Sequence, residues 1–264
     1  MKFSGQIKKM VTELGEPIQY YLNLSNDLIN VNQIIGKNIS IKHTGYQCIE
    51  CGSDEKIFRM GFCKKCFFKS PYASETIIRP ELSTAHLGIA ERDLAVEQQI
   101  QLQPHIVYLS YTGDVKVGVT RETQVPTRWI DQGATFALPI AKTTNRYEAG
   151  MIEVALKEHL ADKTNWRKML QHEYEDEINL AEYRDKIKQY FPADFQQFYR
   201  DDAEMVRLDY PYQAPEKISS VSLDKQPEFS GIIKGIKGQY LAFEDGSVIN
   251  LRSHEGYVIE LETN

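Results

Sequence analysis

The chain is poor in cysteine, with four among 264 residues, and it has only two tryptophans. No segment approaches the roughly 18 consecutive apolar residues that cross a bilayer, so no membrane span and no membrane partner is expected. The first residues, MKFSGQIKKMVTELGEP, alternate polar and apolar and lack the apolar core of a secretory leader, which makes the cytoplasm the expected compartment. No Walker-type phosphate loop, dinucleotide glycine fingerprint or GxSxG elbow is present, and the histidines show no ligand spacing among themselves. These absences remove the commonest nucleotide, hydrolase and histidine-metal chemistries.

The net charge of -6 argues against indiscriminate binding to polyanions, but the charge is unevenly spread. Residues 1–80 hold 11 Lys/Arg against 7 Asp/Glu, residues 81–160 hold 7 against 10, and residues 161–264 hold 13 against 20. A basic front and an acidic rear would orient the protein on an anionic polymer, although an asymmetry of this size also arises by chance.

All four cysteines fall within 19 residues as Cys48-x2-Cys51-x11-Cys63-x2-Cys66. Two residues between cysteines let both sulfurs face one ion, and two such knuckles complete a tetrahedral four-thiolate shell for a structural Zn2+ ion. Disulfides or four unrelated thiols are the alternatives, and the lack of an export signal disfavours the first. Around the knuckles stand Lys64, Lys65 and Lys69 with Phe58, Phe62, Phe67 and Phe68. Cations and aromatics together suit nucleic-acid contact by phosphate pairing and base stacking; equally, the phenylalanines suit a miniature ribbon core.

Secondary structure reads as an α+β protein. Short strands are expected at residues 3–11, 17–24 and 38–43, and the tail after 228 returns to strands around an Asp245-Gly246 turn. Phe3-Ser4-Gly5-Gln6-Ile7-Lys8 echoes Phe229-Ser230-Gly231-Ile232-Ile233-Lys234, so the termini are expected to pair in a small β barrel, with other modules inserted between them. The expected organisation is a terminal strand module at 1–45 and 226–264, a zinc ribbon at 46–70 and a connector at 71–104 with a short helix near 90–99. A three-stranded α/β unit at 105–162 and an acidic helical segment at 163–225 complete it. Within the α/β unit, strands at 105–109 and 115–120 close around Thr112-Gly113-Asp114, and Thr123 caps a short helix that ends at Gly133. A strand at 136–142 and a helix over about 145–160 follow, the helix placing Ile152, Ala155 and Leu156 on one face.

In this unit Val107-Tyr108-Leu109, then Lys116-Val117-Gly118-Val119-Thr120, then Val125-Pro126-Thr127-Arg128-Trp129 resembles a degenerate GIY-YIG nuclease pattern. In that superfamily two strands carry tyrosines, one helix an arginine and a later helix a metal-binding glutamate. The resemblance implies that Tyr108, Gly118, Arg128 and Glu148 occupy these positions, with Mg2+ on Glu148. The second tyrosine falls on Lys116 or Val117, and no histidine follows the arginine at the usual place. Lys116 would then serve as phosphate contact or base, and Arg121 and Arg146 as phosphate contacts or solvated surface. Glu148 on an apolar helix face calls for a metal or Arg128 as partner, or else simply favours the helix N-terminus. Arg128 also stands at pairing distance from Asp131 along its helix, and Trp129 fits the core.

The run KVGVTRETQVPTRWIDQGA, preceded by the double-CxxC ribbon and followed by IKGQYL, also resembles an uncharacterised bacterial domain family across nearly the whole chain. The functional expectation is nucleic-acid binding, with metal-dependent phosphodiester hydrolysis or a catalytically degenerate form of it. A non-catalytic adaptor with a protein partner is the alternative, and an enzyme acting on some other substrate is a third.

Overall fold

Alternation of apolar and polar residues makes half-buried strands at both ends of the chain, whereas the run His105–Tyr111 is apolar enough to be covered on both faces. The computed structural model describes residues 1–25, 27–160, 165–171 and 178–264. Along the chain come β1 (Lys2–Glu13), β2 (Gln19–Leu24), β3 (Asp27–Asn30), β4 (Asn38–Tyr46), β5 (Ile57–Arg59), β6 (Phe62–Cys63), α1 (Lys64–Phe67) and α2 (Leu94–Gln101). Then follow β7 (His105–Tyr111), β8 (Val115–Arg121), α3 (Thr127–Asp131), β9 (Phe136–Thr143), α4 (Arg146–Lys157), α5 (Trp166–Gln171) and α6 (Leu180–Ile187). The chain ends with β10 (Val206–Arg207), β11 (Ser219–Ser220), β12 (Glu228–Lys237), β13 (Tyr240–Phe243), β14 (Ser247–Asn250) and β15 (Tyr257–Thr263). Two compact units result: residues 1–68 with 209–264, and residues 69–208.

The first unit is a nine-stranded sheet in the order β11-β14-β13-β12-β4-β15-β1-β2-β3. The expected small barrel does not form. The sheet stays open, and among the described residues β3 and β11 are its two ends. Both chain ends do pair, and far more extensively than six echoed residues suggest. β1-β2-β3-β4 and β12-β13-β14-β15 are two copies of one four-strand module. In each copy a 3-10 turn capped by an asparagine, Asn30 or Asn250, precedes the last strand. A glycine at positive φ then leads into that strand, Gly36 at 82° and Gly256 at 84°.

The copies exchange their first strands in the same register. Phe3 pairs with Leu261 and Gly5 with Ile259, just as Phe229 pairs with Ile41 and Gly231 with Ile39. Ile41 and Leu261, equivalent positions, pair with one another, which puts a pseudo-twofold axis through β4 and β15. Gly36 N donates to Ile233 O at 2.8 Å, and Gly256 N donates to Ile7 O at 2.9 Å. The sequence echo therefore records an internal pseudosymmetry. It is broken at the sheet ends, where parallel β11 covers β14 and buries Val248, while Leu28, its counterpart on β3, is exposed.

The second unit holds a four-stranded antiparallel sheet in the order β10-β9-β7-β8, with β7 central. The fourth strand, β10, comes from residues expected to be helical. α4 lays Ala149, Ile152 and Leu156 against Val107, Leu109, Leu138 and Ile140, and α6 adds Leu180 and Ile187 to that core. Thr123 caps nothing: it lies in a 3-10 turn over Glu122–Gln124, and α3 starts after Pro126. Gly133 does end that helix, at φ 69°. Residues 163–164 and 172–177 of the expected acidic segment lie outside the described residues.

Candidate functional site

Cys48 and Cys51 lie between β4 and β5, Cys63 ends β6 of the short β5–β6 hairpin, and Cys66 lies in α1. Gly52 (φ 72°) and Gly61 (φ 80°) turn the backbone in the left-handed region that favours glycine, which lets each knuckle fold back. Cys48 N donates to Ser53 O at 2.8 Å and Gly52 N to Cys48 O at 2.9 Å, closing the first knuckle. Cys63 N donates to Cys48 Sγ at 3.3 Å, the amide-to-sulfur bond expected of a knuckle. All four Sγ atoms lie within 4.8 Å of one another, and Cys51 and Cys63 are 3.9 Å apart. A tetrahedral shell with metal–sulfur bonds of about 2.3 Å needs sulfurs about 3.8 Å apart, so these four are close enough that they could bind a metal ion such as zinc. The thiols are free rather than paired in disulfides. The Ser53 hydroxyl draws the Cys51 thiol down to about 6, while burial pushes the Cys66 thiol up to about 12.

The knuckles are anchored through Gly256. A Cβ there would stand 2.7 Å from Ile57 Cδ1 and 3.0 Å from Gly61 O. Phe62 and Ile57 are buried beneath the knuckles, while Phe58, Phe68, Lys64 and Lys65 are exposed. Lys69 is exposed as well and begins the second unit.

In the second unit, β7 and β8 pair Tyr108 with Gly118 and Ser110 with Lys116, so these four share one sheet face. The Tyr108 ring fills the space a Cβ on Gly118 would take, and its hydroxyl donates to Gln132 Oε1 at 2.8 Å. Trp129 of α3 packs on the same ring at 5.8 Å between centroids, in the core as expected. Burial raises the Tyr108 phenol to about 12, with the neighbouring Arg128 charge acting the other way. Burial pulls Lys116 down to about 8, and the Arg128 charge adds to the effect. Arg128 itself stands exposed on α3.

The carboxylate that shares this field is Glu153. Burial pushes it up to about 7, against the opposing charges of Lys157, Arg146 and Arg128. Its charge also acts on Tyr108 and Lys116. Glu148 is engaged elsewhere, accepting from Thr144 N at 2.9 Å and Thr144 Oγ1 at 2.8 Å. Its own amide donates to Asn145 Oδ1 at 3.1 Å. This is a capping arrangement at the start of α4.

Arg146 is half-buried and donates to Thr76 O and Ile77 O at 2.8 Å each, which pins the connector to α4. Gly150, one turn on, lets the connector backbone approach so closely that a Cβ would lie 2.3 Å from Glu81 N. Arg121 ends β8 opposite His105, whose ring burial lowers to about 4. The structure thus brings Tyr108, Lys116 and Arg128 together and adds Glu153, which sequence reasoning passed over. A signal was available. Arg146, Gly150, Glu153 and Lys157 follow one another at helical spacing, a charged stripe interrupted by a glycine where another backbone docks.

A family model described as a protein of unknown function (DUF2797) matches residues 36–259. No curated protein and no solved structure matches the chain. Among the described residues no helix is long and apolar enough to cross a membrane.

Proposed function

We propose that this chain, which belongs to the DUF2797 family of proteins of unknown function, is a zinc-containing nucleic-acid-binding protein whose α/β unit carries a GIY-YIG-like phosphodiester site. The observation that carries the reading is the pairing of β7 with β8, which sets Tyr108 and Lys116 on one sheet face, with Trp129 of α3, the chain neighbour of Arg128, packed on the Tyr108 ring at 5.8 Å. The charges of Arg128 and Glu153 act on both groups. The resemblance calls for a tyrosine strand, a glycine strand, an arginine helix and a glutamate helix in that chain order. β7, β8, α3 and α4 supply them, with Glu153 taking the glutamate role in place of Glu148.

Each group has a stated part. Arg128, exposed and cationic, pairs with a phosphate oxygen and offsets the charge that grows on phosphorus during in-line attack. Lys116 adds a second cation, and with its ammonium drawn to about 8 its neutral form is accessible near neutral pH as a proton acceptor. Tyr108 stays protonated at neutral pH, is fully buried and gives its one hydroxyl proton to Gln132 Oε1, so its part is to support the Arg128 side of the site from beneath rather than to touch phosphate. Glu153 is a half-buried carboxylate whose ionised form is poorly solvated, the chemistry of a group that gains from a divalent cation. Magnesium is commonly held by one or two carboxylates with water and substrate phosphate, and it would supply Lewis-acid activation of the phosphoryl group. The four thiolates would hold zinc in a closed structural site, which leaves no open position for catalysis there.

A protein-adaptor role is the second reading, and the exposure of Ile78, Leu87 and Ile89 at 77%, 63% and 56% in the connector favours it. The deciding experiment is cleavage and binding of labelled DNA and RNA by the zinc-loaded protein, with and without magnesium, for wild type, Arg128→Ala and Glu153→Gln. Salt-sensitive binding weakened by Arg128→Ala, with magnesium-dependent cleavage lost in both variants, is expected. Cleavage that survives both substitutions would overturn the site, and absence of binding at low salt would favour the adaptor.

A further inference from the structure

We propose that Phe58, Phe67 and Phe68 form a stacking platform for unpaired nucleotide bases, rimmed by Arg59, Lys64 and Lys65, so that the nucleic acid bound at the knuckles is single-stranded. The proposal rests on the nucleic-acid reading above and names the substrate class it implies for a different part of the molecule.

The packing of the knuckle module separates two kinds of phenylalanine. Phe62, 3% exposed, and Ile57, 8% exposed, make its small core together with the buried Cys48 and Cys63. Phe58 and Phe68 are left 42% and 59% exposed, and Phe67 is half-buried between them. The miniature-core reading therefore holds for one ring, and three rings remain to be explained.

Those three are arranged with respect to one another. Their centroids lie 5.2 Å (Phe58–Phe67), 5.3 Å (Phe67–Phe68) and 5.7 Å (Phe58–Phe68) apart, two of the pairs edge to face. Edge-to-face contact at these separations fixes ring orientation while Phe58 and Phe68 keep much of their surface in water. Rings held by one another and exposed to water offer flat apolar area without the entropy cost of ordering it on binding.

Charge selects the occupant. The segment 56–69, KIFRMGFCKKCFFK, contains five cations and no carboxylate, and the module's three carboxylates, Glu50, Asp54 and Glu55, all precede it in or just after the first knuckle. Arg59 lies over the Phe58 ring at 5.6 Å, and Lys64 and Lys65 are exposed on the helix that also carries Phe67. Lys56 is committed to Asp224 at 3.3 Å, but no described carboxylate forms an ion pair with Arg59, Lys64 or Lys65. An apolar protein partner has no use for cations at the edge of the rings, whereas a polynucleotide supplies phosphates for the cations and π-faces for the rings. Bases inside a duplex are already stacked, so only an unpaired strand satisfies both.

The test uses the full-length zinc-loaded protein and fluorescein-labelled oligonucleotides of about a dozen nucleotides, single-stranded oligo-dT and a mixed-sequence duplex, titrated across salt. The variants are Phe58→Leu/Phe68→Leu, which keeps apolar bulk without the π-face, and Lys64→Ala/Lys65→Ala. Zinc content is measured on each as the control for folding. The expected result is at least about a tenfold preference for the single strand, lost in the leucine variant at full zinc occupancy and unchanged salt slope. The lysine variant should keep the preference but show a shallower salt slope. Equal affinity for strand and duplex, or a leucine variant that binds like wild type, overturns the platform while leaving the phosphodiester site standing, since Arg128→Ala reads that site separately. Absence of binding to either probe overturns the nucleic-acid reading itself and marks the patch as a protein contact.

Discussion

Gly118 faces Tyr108 across the β7–β8 pair so closely that a Cβ on the glycine would stand 2.8 Å from the tyrosine Cζ and hydroxyl oxygen. The ring cannot yield easily, because it is fully buried, tied to Gln132 and packed on Trp129. Gly118→Ala should therefore cost about 1–3 kcal/mol, the range for overpacking a filled core, and should displace the phenol from Gln132. Urea unfolding of Gly118→Ala alone and combined with Tyr108→Leu checks this. The double variant should recover much of the loss, and simple additivity of the two costs would show that the ring is not what the alanine meets.

What was legible in the sequence follows from how local each signal is. The knuckle pattern carries its own geometry within nineteen residues, and the structure gathers those four sulfurs. The β7–β8 hairpin, the strand after it and helix α4 were readable from periodicity, because Ile152 and Leu156 face the sheet whatever else the fold does. Glu153 was not readable, since its burial depends on a connector that approaches α4 at Gly150 from seventy residues upstream. The terminal strands are legible in the sequence, but the open sheet they form is not. Six echoed residues cannot reveal that each module donates its first strand to the other, which spreads the strands into one open sheet.

Two carboxylates four and nine residues after Thr144 are separable by experiment. Glu148→Ala removes a helix-capping acceptor and should cost about 1 kcal/mol of stability while leaving nucleic-acid binding and any cleavage intact. Glu153→Gln removes a strained charge, and it should fold at least as well as wild type yet lose magnesium-dependent cleavage. If the alanine at 148 abolishes cleavage in a folded protein, the metal-binding role returns to Glu148.

Protonation gives a further handle on the same site. Lys116 is cationic below about 8, so phosphate affinity measured without divalent ions should fall as pH rises through that value, and Lys116→Met should flatten the fall. Glu153 ionises only above about 7, which places the pH range with both groups charged narrowly around 7 to 8. For stability the sign is fixed by the raised carboxyl value. The folded state holds the proton more tightly than the unfolded state, so Glu153 costs stability increasingly as pH climbs from the ordinary carboxylate range through about 7. Glu153→Gln should thus match wild type at acid pH and exceed it at pH 8, as read by thermal unfolding at both values.

Metal removal should act on the knuckles and spare the α/β unit. Cys63→Ser or a strong chelator should release one zinc per chain, because three thiolates no longer close the shell. The protein should then expose the segment around Ile57 and Phe62 to proteolysis while the 69–208 unit stays protected. Full zinc retention in Cys63→Ser would refute the four-thiolate site.

The pseudosymmetry of the large sheet supplies an internal control for what the knuckles contribute. Gly36 and Gly256 occupy equivalent places with φ of 82° and 84°, and each amide donates to the equivalent isoleucine of the other module. Alanine at either position meets the same backbone strain, about 1 kcal/mol for a non-glycine residue in the left-handed region. Their surroundings differ. Nothing lies within 4 Å of a Cβ on Gly36, whereas a Cβ on Gly256 would press on Ile57 Cδ1 at 2.7 Å and Gly61 O at 3.0 Å. The knuckle module, present beside only one of the two glycines, is the whole difference. Gly256→Ala should therefore be the more destabilising by about 1–3 kcal/mol, and its excess should shrink once zinc is removed and the knuckles loosen. Equal melting temperatures for the two zinc-loaded alanine variants would mean that the knuckles do not bear on the sheet at Gly256.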